Sequence, residues 1–158
     1  MSGRPNETSG HDFGGARILV IDDEDGVRRI VRRMFADCNC RIVEAADGSE
    51  GLMLLERESA IDLILTDLAM PQMGGLAVVQ TVALRHPGIP VIVMSGNGAA
   101  MAAAPHVPVM RKPFTAGELL GLVAREMARS RRAATGVALP PDSPIRVAAR
   151  PRYRSPPR

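Results

Sequence analysis

Five residues able to handle a metal ion or a phosphoryl group stand where short apolar runs end. Arg17 to Ile21 leads into Asp22-Asp23, Asp62 to Thr66 into Asp67, Pro90 to Met94 into Ser95, and Val107 to Met110 reaches Lys112 two residues later. Runs of this length, with Val and Ile dominant in the first and fourth, read as buried strands. Paired strands lie about 4.8 Å apart, so the three carboxylates are expected to share one small volume. Carboxylates that close repel, raise one another's pKa and destabilise the fold unless a cation neutralises them. Mg²⁺ suits the task, because it takes one or two carboxylates, keeps several waters and leaves positions for phosphate oxygens. Asp67 is then left to act as a nucleophile, with Lys112 as a point charge on a transferring phosphoryl group and Ser95 as a hydrogen-bond donor to it. Composition adds weight to Lys112: of 20 Lys and Arg residues it is the single lysine. A compact ammonium on a flexible stem is wanted there, in a chain that otherwise uses guanidinium. Any one of these residues alone would pass for a helix cap or a loop residue; together they define a site.

The elements that must position them alternate in kind. A further run, Arg41 to Ala45, makes five candidate strands, and helical patterns separate them. The clearest follows the first strand: Val27, Ile30, Val31, Met34, Phe35 and Cys38 recur at helical spacing, with Arg28, Arg29, Arg32 and Arg33 opposite. Weaker patterns mark Ser49 to Glu58, Gly75 to Arg85, and Ala116 to Ala128, the last with Thr115 as N-cap and Glu118 three residues on. Strands alternating with helices predict a parallel sheet covered on both faces. Right-handed crossovers then favour a flavodoxin-like (βα)₅ three-layer sandwich with strand order 2-1-3-4-5. In that order the direction of winding reverses between strands 1 and 3, where Asp22, Asp23 and Asp67 fall. Only Gly96 to Pro105 separates the fourth strand from the fifth, so a shortened fourth helix, about Asn97 to Ala104, is expected.

Charge divides the chain of 158 residues. From 129 to 158, eight Arg against Asp142 leave +7, while residues 1 to 128 carry 12 basic and 16 acidic groups, or −4, together the net +3. Six of the 13 prolines also lie beyond residue 139. This composition predicts an extended arm over 129 to 158, a folded domain over 16 to 128, and a mobile Gly-rich leader over 1 to 15. No apolar run approaches the roughly 20 residues that cross a bilayer, and the leader has no apolar stretch for export, so no membrane insertion and a cytoplasmic location are expected. Cys38 and Cys40 cannot build a disulfide framework and lack a second Cys/His pair for zinc, which fits a reducing compartment.

The ordered motifs Ile-Leu-Val-Ile-Asp-Asp (18 to 23), Leu-Ile-Leu-Thr-Asp-Leu-Ala-Met-Pro (63 to 71) with Gly74-Gly75, Val-Ile-Val-Met-Ser-Gly (91 to 96) and Arg-Lys-Pro-Phe (111 to 114) resemble the CheY-like receiver domain of two-component response regulators. The resemblance implies that Asp67 accepts a phosphoryl group from a phosphohistidine, on a sensor histidine kinase or a histidine phosphotransfer protein. It implies that Asp23 binds Mg²⁺ directly, Asp22 mostly through water, and the main-chain carbonyl of Ala69 as a third protein oxygen, with Asp67 also at the ion. Lys112 would contact the phosphoryl group, Ser95 would swing toward it, and Lys112-Pro113 would be a cis peptide. Such a chain is a signalling phosphoacceptor rather than an enzyme with a separate substrate; it promotes its own phosphotransfer and dephosphorylation. It signals by protein contact or by relaying the phosphoryl group, and no output domain is expected. Two departures concern output. The family's aromatic switch position holds Val109, and the positions that tune phosphoryl lifetime hold Ala69 and Asn97, neither of which offers a carboxylate to orient water.

Other features carry paired readings. The arginines on the first helix are either a solvated face or a surface that steers an acidic partner toward the pocket. His11, His86 and His106 lie too far in pattern from the aspartates to be ligands, and Phe35 and Phe114 read as core. The arm is an extension without a role, a homodimer contact through Val137 to Leu139 and Ile145 to Val147, or a binder of nucleic acid. The last is disfavoured, because Tyr153 is the one residue there that could stack on a base, yet a DNA-associated regulator using the basic arm is the alternative function.

Overall fold

The computed structural model describes residues 10–58, 60–96 and 104–136. In chain order they form β1 (Ala16–Ile21), α1 (Asp25–Met34), β2 (Cys40–Ala45), α2 (Gly48–Arg57), β3 (Leu63–Asp67), α3 (Gly75–Arg85), β4 (Val91–Ser95), β5 (Val109–Arg111) and α4 (Ala116–Ala134). The five strands make one sheet of order β2-β1-β3-β4-β5, parallel throughout, as a flavodoxin-like fold requires. The expected short helix near Asn97 to Ala104, Asn97 itself, and the arm beyond residue 136 lie outside the described residues, apart from a buried Ala104.

Alternation along the strands sorts the core into two layers. Ile18, Val20, Leu63, Leu65, Ile92 and Met94 face Val31 and Phe35 of α1 and Leu119, Leu120 and Val123 of α4. Leu19, Ile21 and Ile64 face Leu55 of α2 and Val78 and Val82 of α3. Successive strand residues point to opposite faces, so continuous apolar runs are what a sheet covered on both sides demands. A smaller cluster gathers Val79 and Val93 with Leu68, Val107 and Val109.

The chain follows its sequence signals with three differences. Val31 of α1 is fully buried, as is Cys38 past its end, and Phe35 at its C-cap nearly so, but Ile30 is 55% exposed. It lies at the edge of the apolar stripe, roughly 80° from its centre at 100° per residue, and points past the sheet. Next, α4 begins as expected, with reciprocal Thr115 and Glu118 capping bonds, but runs to Ala134 instead of about Ala128. The apolar periodicity stops at Met127, yet Ser130 Oγ donates to the Gly88 carbonyl at 2.8 Å, and Arg131 and Arg132 in the last turn suit the helix dipole. Gly136, at φ +66°, ends it.

The third difference concerns residues 10–15, assigned to a mobile leader on composition. Phe13 is 5% exposed and packs on Phe35 with ring centroids 5.8 Å apart. Main-chain bonds from Phe13 N to Cys38 O and from Gly15 N to Asn39 O tie this segment to the α1–β2 turn. One aromatic among glycines gives no periodic signal, so the sequence pattern could not reveal it.

Candidate functional site

Register delivers the acidic residues to one place. Ile21 pairs with Thr66 across β1 and β3, so Asp22, just past its strand, is carried to the level of Asp67. Asp67 pairs with Met94 and Ser95 with Arg111, and Lys112 N donates to the Ser95 carbonyl at 2.8 Å, which brings the fifth strand's lysine to the same edge. The Lys112-Pro113 peptide is cis. Glycine is needed where α3 starts: a Cβ on Gly75 would lie 2.1 Å from the Asp67 carbonyl oxygen, so only glycine lets the helix begin against the end of β3.

The centre of the site is a cation shared by two carboxylates. Lys112 Nζ donates to Asp67 Oδ1 at 2.8 Å and to Asp22 Oδ2 at 3.0 Å. Burial works to lower the lysine pKa, but hydrogen bonds and charge from Asp67 and Asp22 outweigh it and hold the ammonium above its ordinary value. Asp22 is fully buried, and its Oδ1 accepts from Glu24 N at 2.9 Å. Asp67 is 7% exposed, enough for one face to be approached from solvent. Ser95 is buried at the end of the adjacent strand.

Asp23 and Ala69 stand apart from this pair. Both are exposed, Asp23 on the β1–α1 turn and Ala69 two residues past Asp67. The expected acidic trio is thus a buried pair with Asp23 on the rim, and among the described residues no three His, Cys, Asp or Glu side chains converge on a ready-made metal cage. The donor set still fits Mg²⁺, whose preference is for hard oxygens with few protein ligands. Two buried carboxylates already share one cation, a third lies on the adjoining turn, and the loop after β3 offers a main-chain carbonyl.

The arginine face of α1 is partly spent on internal pairs. Arg28 and Arg29 both pair with Asp25, and Arg32 pairs with Glu44 at 3.0 Å. Arg28, expected on a solvated or partner-steering face, donates its Nη1 to the Asp22 carbonyl at 2.6 Å. Helical spacing places Arg28 opposite the packed stripe; what it cannot show is the strand end beside the helix's first turn. His86 and the exposed His106 are at other loops, and His11 stacks on Phe13.

An α/β sheet with paired aspartates and a lysine at its carboxyl edge is the architecture of a phosphoacceptor signalling module. Residues 18–124 match the family model of the response regulator receiver domain, and the chain belongs to that family. It is 32% identical over 113 residues to the DNA-binding transcriptional regulator NtrC of Salmonella typhimurium, covering 68% of this chain and 24% of that protein. The chain therefore spans about a quarter of that relative, and what the remainder of NtrC does is not carried by the match. Among solved structures, a response regulator receiver domain protein from Clostridium thermocellum superposes with TM-score 0.68 at 27% identity, over 75% of this chain and 98% of that one. The response regulator TrrA of Thermotoga maritima, in complex with Mg²⁺ and BeF, shares the fold with TM-score 0.65 at 24% identity, over 70% and 97%. Among the described residues, no helix is long and apolar enough to cross a membrane.

Proposed function

We propose that this chain accepts a phosphoryl group on Asp67 from the phosphohistidine of a sensor histidine kinase or histidine phosphotransfer protein. A carboxylate oxygen of Asp67 bonds to phosphorus as the phosphorus–nitrogen bond breaks, and the imidazole departs with the electron pair. The observation that carries the reading is the Lys112 ammonium set between Asp67 and Asp22, which puts a mobile positive charge beside the attacking oxygen. Mg²⁺, held by Asp22, Asp23, Asp67 and the Ala69 carbonyl, would supply charge neutralisation at the phosphoryl oxygens. Lys112 contacts the transferred group, and the Ser95 hydroxyl swings toward it and donates to one of its oxygens.

Output in this reading is protein contact or onward relay from the cytoplasm. Val109 packs among Val93, Val107 and Leu68, and a branched aliphatic side chain there offers no ring to rotate, so the signal leaves by another surface. The arm, largely outside the described residues, is read as an extension without a role or as a contact with a second copy, ahead of nucleic-acid binding. A DNA-associated role, the alternative, draws support from the printed function of NtrC and from the arm's charge.

The test is transfer of labelled phosphate from a phosphorylated histidine phosphotransfer protein or from phosphoramidate. The wild-type chain is expected to take up label with Mg²⁺ and lose it in EDTA, and Asp67→Asn to take up none. Labelling of Asp67→Asn at the wild-type rate would overturn the assignment.

A further inference from the structure

The phosphoacceptor reading leaves one partly buried interaction unused. The Arg28 side chain is only 15% exposed, unlike its neighbour Arg29 at 65%. Its Nη1 donates to the main-chain carbonyl of Asp22 at 2.6 Å, and Nη2 pairs with Asp25 at 3.2 Å. Asp22 is thereby fixed at four points: its N–H donates to the Ala45 carbonyl at 3.2 Å, its carbonyl accepts from Arg28, Oδ1 accepts from the Glu24 N–H and Oδ2 from Lys112. The residue that follows, Asp23, stands on the same turn with its side chain in solvent.

We propose, resting on the Mg²⁺-dependent reading above, that Arg28 is a positioning residue for the metal-binding turn. The guanidinium locks the Asp22 carbonyl to the first turn of α1 and so fixes the direction in which the Asp22 and Asp23 carboxylates leave β1. The ion then meets carboxylates whose orientation is already set, and less ordering remains to be done on binding. Partners that orient metal ligands from behind commonly change affinity by tenfold or more when removed.

Two effects of the same residue have opposite signs, which makes the proposal decidable. A guanidinium close to a cation site repels the ion, so a merely electrostatic neighbour, once removed, would leave Mg²⁺ bound more tightly. A positioning residue, once removed, leaves it bound more weakly. A merely structural residue lowers the melting temperature in EDTA and leaves affinity alone.

Mg²⁺ binding is measured by titration calorimetry on the full chain, for wild type, Arg28→Met and Asp25→Ala. Arg28→Met keeps the apolar stem and is expected to weaken Mg²⁺ about tenfold, with phosphotransfer at saturating Mg²⁺ within about twofold of wild type. Asp25→Ala removes the exposed partner and spares the bond to Asp22, so its Mg²⁺ affinity is expected to stay within about twofold. Unchanged or tightened binding in Arg28→Met overturns the proposal, as does an equal loss in Asp25→Ala. Failure of the underlying reading looks different: the wild-type chain itself would then bind no Mg²⁺, and Asp67→Asn would still be labelled.

Discussion

A single ammonium between two carboxylates sets the electrostatics of this protein at the level of individual residues. The folded-state pKa of Lys112 is raised, so its ion pairs contribute fully below the ordinary lysine value of 10.5 and are lost as pH rises through the raised value. The thiols titrate nearer to working conditions. Burial, with Cys38 adding to it, pushes Cys40 from 9.0 to about 11, and burial with Asp37 raises Cys38 as well. Neutral thiols are therefore favoured by folding, and that contribution is present below pH 9.0 and fades toward pH 11. Since the thiolate is the reactive form, both cysteines are expected to react slowly with a disulfide reagent at pH 8 in the native protein and at free-thiol rates in urea. Rapid native reaction of either cysteine would show that the α1–β2 turn opens. Both thiols are free, Cys38 buried and Cys40 half-buried.

Among the elements, the segment before β1 carries the largest unexpected weight. Phe13 fills the end of the layer between α1, the sheet and α4, so Phe13→Ala should cost about 3 kcal/mol in urea-induced unfolding. A loss below about 1 kcal/mol would mean that the segment rests on the core without supporting it. This contribution was invisible in the sequence because Asp12, Gly14 and Gly15 around Phe13 dominate local composition. By contrast α3 ends where Arg85 meets His86-Pro87, as expected, since proline excludes the helical conformation before it. Ile30 misled because periodicity records which residues share a stripe and not how wide the covering surface is. Arg28 misled for a related reason: whether an arginine meets solvent or a carbonyl depends on a strand end that helical spacing does not contain.

Across the whole molecule, the strand ends were legible because apolar runs terminate at polar residues, and parallel pairing converts those termini into one edge. Asp22, Asp67 and Lys112 converge there, whereas Asp23 stays on the rim, since adjacent residues diverge once a strand ends. Millimolar Mg²⁺ is expected to raise the melting temperature by a few degrees, as any ligand of the native state does. Asp23→Ala should abolish that shift without lowering the metal-free melting temperature, because an exposed carboxylate supports binding and not folding. An undiminished shift in the variant would place the ion elsewhere. The reach of α4 has a separate consequence. It starts beside the lysine edge and runs 19 residues, about 28 Å, with Ser130, about 21 Å along it, bonded to Gly88 ahead of β4. The helix thus ends at the pole remote from Asp67. In the reading proposed above, a phosphoryl group on Asp67 would sit a full helix length from the end of α4.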